Sequence, residues 1–282
     1  MSKIAIVIPT IRKKQIKKFL KEWKDEFRYC NVYVVWDTPK GWKEIEDDLG
    51  SKSWVVSKKN SGIRIYGFLK AYRDGADYII SLDDDCMPDT PDFVRKHIEA
   101  LNKRVPTSWV YTLPSIYTRG FPYDIRRESQ VMLNMGLWNG VPDLDAPTQL
   151  LTEITNYKNA DNKSQVVPKG SYFPFCSMNF SFRRELTPHL YFPLMGMGQP
   201  YDRFDDIWAG VLVKRYLDKN NYAATFGRPY IRHERASNVY VNLQKEAKGL
   251  EVNEEFWKKM PKGNYFKQLG RAQKIWRLLF QQ

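Results

Sequence analysis

The chain has 282 residues, 43% hydrophobic and 15% aromatic, enough for a large core, so disorder is excluded and one domain with appendages, or two small ones, is expected. Lysine and arginine number 45 against 32 acids, a formal charge of +13, yet no RNA-binding signature accompanies it and no nucleic-acid partner is expected. Cys30, Cys86 and Cys176 lack CxxC spacing, which excludes a disulfide framework or zinc knuckle. No apolar run reaches the roughly 18 to 20 residues of a membrane span, so we expect a cytoplasmic protein without a transmembrane segment.

In chain order, Ile4-Ala-Ile-Val-Ile8 is an apolar, β-branched run ended by Pro9-Thr10. Ile16, Phe19, Leu20, Trp23 and Phe27 then recur at helical spacing over about residues 13 to 28, with the lysines on the opposite, solvated face. Val32 to Trp36, ended by Asp37, completes a βαβ unit. Trp54-Val-Val56 reads as a third extended piece, Arg64 to Arg73 as a helix, and Tyr78 to Leu82 as a buried strand. Strands alternating with helices imply a mainly parallel sheet with right-handed crossovers.

Polar residues gather where these strands end: Thr10 and Arg12, Asp37, then Asp83, Asp84 and Asp85 in the stretch SLDDDCMPDT. In open α/β sheets that edge binds ligands. Three adjacent carboxylates repel one another unless solvent, cations or a metal offset them, so a divalent ion, manganese or magnesium, is expected there. Asp83 and Asp85 are the ligand candidates, Asp84 is a candidate contact to sugar or ribose, and His233 at a late strand end completes the set. Thr10, Arg12, Asp37, Gly62 and Arg64 should surround a nucleotide, although no GxGxxG or Walker pattern is present.

Beyond residue 105 the alternation breaks. Residues 106–175 read as an insertion beside a sugar site, with Trp109 to Leu113 extended and 152–169 as a candidate surface loop. Asp202 to about Leu217 reads as a helix, and Ala223 to His233 contains an extended run. Asp205 and Asp206, near that helix start, suit sugar hydroxyls and general-base work, or simply the helix dipole. We divide the chain into a catalytic domain, 1–250, and a helical tail, 251–282, that packs on its own core or on a second subunit of a homo-oligomer.

Four stretches carry a resemblance: Arg119-Gly-Phe-Pro-Tyr-Asp-Ile-Arg126, Gly136-Leu-Trp-Asn-Gly-Val-Pro-Asp-Leu-Asp-Ala-Pro-Thr-Gln149, Pro174-Phe-Cys-Ser-Met-Asn179, and Leu190 to Gly210. They resemble the reversibly glycosylated polypeptides, which include the plant UDP-arabinopyranose mutases. The resemblance runs, with gaps, from Pro9 to Glu246. It implies a GT-A-like, Rossmann-like α/β fold for nucleotide sugars, a divalent ion, and interconversion of the pyranose and furanose forms of UDP-arabinose. It further implies that Arg119 is a glycosylated arginine with Arg126 as its partner. Trp138, Asp143, Asp145 and Asn179, which lie within the shared motifs, join the substrate-binding candidates, with Arg119, Arg126, Asp205 and Asp206 catalytic. A protonated guanidinium has no nucleophilic lone pair, so a phosphate clamp is the competing role for both arginines. Two other functions fit the same scaffold: a metal-dependent glycosyltransferase with a separate acceptor, and a self-glycosylating carrier.

Overall fold

The computed structural model describes residues 2–109, 116–152, 154–159, 164–234 and 237–281. Strand β1 (Ile4–Thr10), helix α1 (Lys13–Glu22), strand β2 (Asn31–Trp36), helices α2 (Pro39–Leu49) and α3 (Arg64–Arg73) and strand β3 (Tyr78–Leu82) form the first half. β1 pairs in parallel with β2 on one side and β3 on the other. Ala5, Val7 and Ile79 face one core layer, and Ile6, Ile8, Ile80 and Leu82 face the other. Burial on both faces is why these strands show no polar alternation. Helix α3 closes tightly on this sheet: a Cβ at Gly67 would stand 2.4 Å from Val7 and 2.8 Å from Val35.

Then follow β4 (Cys86–Pro88), α4 (Phe93–Leu101), β5 (Arg104–Val105), β6 (Ser129–Gly140), α5 (Ala146–Leu151), β7 (Gln165–Val166), β8 (Asn179–Arg183), α6 (Asp205–Lys219), β9 (Ala223–His233), α7 (Val239–Phe256) and α8 (Asn264–Leu278). The sheet runs β2-β1-β3-β8-β6-β9-β4, with β5 beside β6 and β7 beside β9. The α/β sheet expected from sequence is thus present, parallel through β2-β1-β3 and again at β6-β9, with antiparallel β8 between the two blocks.

Two expectations change. Trp54 to Val56 is not a strand: Gly50–Val55 forms a 3-10 turn. Val55 and Val56 are both buried while Trp54 is exposed, a pattern a two-faced strand cannot give, and Tyr191 Oη donates to Val55 O at 2.7 Å. The helix expected from Asp202 begins at Asp205, because Arg203 takes a left-handed backbone, φ +65°. Of the strand read at Trp109 to Leu113, only Trp109 is among the described residues. Within 152–169, Tyr157 bridges to Gly140, Asn159 Nδ2 donates to Trp138 O at 2.6 Å, and β7 pairs with β9.

Helix α7 runs across residue 250, and α8 packs into the main core, where Trp276 is fully buried and donates Nε1–H to Thr187 O at 3.1 Å. Among the described residues no helix is long and apolar enough to cross a membrane.

Candidate active site

The carboxyl ends of β1, β2 and β3 open on one cleft of about 1410 Å³. Thr10, Arg12, Asp37, Asp83, Asp84 and Asp85 line it from that side; Trp138, Asp143, Asp145, Asp205 and Asp206 line it from the others. Nine aspartates and two glutamates face two arginines and two lysines around its wall. Such a surface repels a nucleoside diphosphate unless cations or protons offset its charge.

The carboxylates are individually held. Asp84, 2% exposed, accepts from the Thr10 hydroxyl and from Nε and Nη2 of Arg12, whose Nη2 also reaches Asp85 Oδ2 at 3.2 Å. With these donors on both its oxygens, Asp84 orients Arg12 on the cleft wall. Asp83 Oδ1 accepts from Arg64 Nη2 at 2.6 Å. Asp37 accepts from Trp42 Nε1 at 2.6 Å and from the backbone N–H groups of Lys59 and Asn60 at 2.9 and 3.0 Å, so it shapes the cleft floor.

Across the cleft, Asp205 accepts from Ser61 Oγ at 2.6 Å and Asn60 Nδ2 at 3.3 Å. Asp206 accepts from both N–H and Oγ of Ser177 at 2.9 Å. Burial, and next the Asp206 charge, pushes Asp205 up to about 7; burial, and next Asp143, pushes Asp206 up to about 6. Asp143 is raised by burial as well, and its Oδ2 accepts from Cys176 Sγ at 2.8 Å. Asp85 is raised by burial and then by Asp83. Asp205 and Asp206 are thereby brought toward neutrality, which suits acid–base chemistry.

Six expected site residues do not line the cleft. Arg64 is fully buried beneath it, donating to Ser61 O, Ser81 Oγ, Ser177 O and Asp83. Gly62 is buried, its N–H taken by Asn60 Oδ1 at 2.8 Å. Asn179 is wholly internal, donating to Leu137 O and Pro229 O and meeting His97 Nε2 at 3.0 Å. His233 is 7% exposed, with Nδ1 at 2.8 Å from Val141 O, close enough to Asp85 and Asp143 for its charge to act on both. Arg119 is exposed, and Arg126 curls onto its own loop, donating to Phe121 O at 2.8 and 3.2 Å and lying 3.9 Å over the Tyr123 ring. Both precede Ser129, the start of β6, whereas Trp138 near its other end lines the cleft; nine residues of strand separate the two points by about 30 Å.

Among the described residues no three His, Cys, Asp or Glu side chains converge as a metal-binding group. Asp83 Oδ2 and Asp85 Oδ1, however, accept no hydrogen bond from a described residue, and burial and then the Asp83 charge raise the proton affinity of Asp85. Two hard oxygen donors of this kind fit a manganese or magnesium ion whose other ligands are phosphate and water.

Sequence reasoning missed Arg203, Ser177, Asn253 and Glu254 on the wall, and gave no role to Glu246. Glu246 Oε1 accepts from Arg203 Nε at 2.8 Å and Oε2 accepts from Ala146 N at 2.7 Å, tying α7 to the cleft and to the start of α5. Arg203 stood in view between Asp202 and Asp205; its positive φ had no sequence signal.

The family model described as reversibly glycosylated polypeptide matches residues 1–266. UDP-arabinopyranose mutase 3 of Arabidopsis thaliana is 35% identical over 279 residues, covering 89% of this chain and 75% of the relative. UDP-arabinopyranose mutase 1 of Oryza sativa subsp. japonica is 35% identical over 280 residues, covering 89% of this chain and 74% of the relative. Among solved structures, 4-diphosphocytidyl-2C-methyl-D-erythritol synthase from Anaerococcus prevotii is similar at a TM-score of 0.38 and 10% identity, over 87% of this chain and 97% of that one.

Proposed function

We infer the activity from membership: the chain belongs to the reversibly glycosylated polypeptide family, and we propose that it is a UDP-sugar mutase interconverting the pyranose and furanose forms of UDP-arabinose. The observation that carries this reading is the family match over residues 1–266, which spans every residue of the acidic cleft, together with 35% identity to UDP-arabinopyranose mutases over 89% of the chain. In the proposed reaction the bond between the anomeric carbon and the β-phosphate oxygen breaks, its electron pair staying on phosphate. The hydroxyl that will close the new ring bonds to the anomeric carbon and gives up its proton, the bond from that carbon to the old ring oxygen breaks and that oxygen takes a proton, and the β-phosphate oxygen re-forms its bond to the anomeric carbon. Asp205 and Asp206 hold and release the protons that the ring oxygens exchange, which their raised proton affinity supports. Asp83 and Asp85 would hold a divalent ion; when bound, such an ion offsets diphosphate charge.

A glycosyl-arginine at Arg119 adds two requirements. The segment carrying Arg119 must reach the cleft, and a carboxylate there must take the guanidinium proton as UDP leaves. Incubation of the pure protein with UDP-arabinopyranose and manganese, followed by chromatography of the nucleotide sugars, tests the reading. Furanose product is expected, and chelation should suppress it. Free UDP formed in step with an added acceptor would replace the mutase by a glycosyltransferase, and bound sugar without turnover would replace it by a carrier.

A further inference from the structure

Most cationic groups near the cleft are already committed to carboxylates. Arg64 makes its hydrogen bonds beneath the wall, and Arg12 is turned onto Asp84 and Asp85. Arg203 differs. Only its Nε is engaged, with Glu246 at 2.8 Å, and among the described residues neither Nη group has a hydrogen-bond partner. The side chain is 31% exposed and lines the cleft, while Glu246 beneath it is 5% exposed. Its backbone is left-handed, φ +65°, a conformation that a long side chain adopts only where surrounding contacts impose it, and such positions gather at functional sites.

Position favours one ligand group. Arg203 and the acidic triplet line the same cleft, and Asp143 of that cleft lies within electrostatic reach of both Asp83 and Arg203. A guanidinium with four open N–H donors in the same cleft as that triplet matches a phosphate oxygen pair in geometry and charge.

We propose that Arg203 is a substrate-contacting residue that donates to the β-phosphate of the bound nucleotide, with Glu246 as the positioning residue that aims it. As the anomeric C–O bond breaks, the electron pair moves onto the β-phosphate oxygen, and the open donors of Arg203 meet the charge that develops there. This inference rests on the UDP-sugar reading of the cleft.

Calorimetry with UDP and with uridine, on the full chain in manganese, tests it. Arg203→Gln should weaken UDP binding at least 10-fold and leave uridine within 2-fold, because the nucleoside carries no phosphate. Arg203→Gly relieves the left-handed backbone but leaves the buried Glu246 Oε1 without its ion pair, so its melting temperature should fall, with the same selective loss of UDP. Glu246→Gln, which keeps the side-chain size, should show a smaller loss of the same kind. UDP affinity unchanged in both Arg203 variants overturns the proposal. Equal loss of UDP and uridine, or a lowered melting temperature in Arg203→Gly with the UDP-to-uridine ratio unchanged, overturns it in favour of a structural arginine. If the wild-type protein binds UDP no better than uridine, the UDP-sugar reading fails first and takes this inference with it.

Discussion

The acidic wall of the cleft and the segment that carries Arg119 and Arg126 are both dense in charge, and they are held in opposite ways. On the wall, Asp84 is fixed by Thr10 and Arg12, Asp205 by Ser61 and Asn60, and Asp206 by Ser177, over a fully buried Arg64. In the arginine segment, Arg119 and Tyr123 are exposed, and Arg126 is held by Phe121, Tyr117 and Tyr123 of its own loop. A charge that must sit at a set distance from a reacting atom needs buried partners. On the proposed glycosyl-arginine route the segment carrying Arg119 would have to reach the cleft, and among the described residues no buried partner holds that side chain.

The comparison breaks most readily at Arg64. Arg64→Met leaves Asp83 without its ion pair and Ser61 O, Ser81 Oγ and Ser177 O without a donor, so unfolding in urea should show a loss of about 3 kcal/mol or more. A loss below about 0.5 kcal/mol, the range of an ordinary surface change, would mean that the wall is not organised around this residue.

Arg119→Lys acts on the other region. It should reduce turnover at least ~100-fold, about 2.7 kcal/mol on the barrier, while urea stability and UDP affinity stay near wild type. Intact-protein mass spectrometry should show a sugar-sized increment that disappears in this variant. Partial turnover with weakened UDP binding would instead make Arg119 a phosphate clamp.

The smallest effect concerns protons. Asp205, pushed up to about 7 chiefly by burial, binds its proton more tightly in the folded protein than in the unfolded chain, where a carboxyl titrates near about 3.9. Its contribution to stability is therefore complete below about pH 4 and is lost as the pH rises through about 7. Asp205→Asn removes that dependence, so the variant should gain a few °C of Tm over wild type between pH 5 and pH 8. A gap that does not change with pH would show that Asp205 is ionised throughout.

Legibility in the sequence followed burial. Arg64 to Arg73 and Tyr78 to Leu82 appear in the structure with the boundaries read from the sequence, because most of their residues are buried. Strand β6 escaped notice because Asn134, Gly136 and Asn139 interrupt it. Asn134 is satisfied only in three dimensions, by Thr225, His97 and Arg228 O, and Gly136 has no space for a Cβ, which would lie 2.2 Å from Asn179 Nδ2 and 2.4 Å from Pro229 O. In the site, carboxylates that follow strand ends were legible because the fold places such residues at one edge. Gly62, Arg64 and Asn179 were misplaced because nearness in sequence does not say whether a side chain turns toward the cleft or the core. The Arg203–Glu246 pair spans 43 residues and left no local trace.

The bond from Glu246 to the Ala146 N–H joins residues 100 apart, and Arg12 meets Asp84 across 72. During synthesis the cleft therefore cannot be completed while its last wall is still inside the ribosome. Contacts this distant in sequence also slow the search for the native state once the chain is free. Nucleotide binding should thus appear as a late event, after the first βαβ unit has acquired its shape. A nascent chain stalled before α7 would present the acidic triplet without the helix that closes the opposite wall, and would report folding of the first half while remaining blind to ligand.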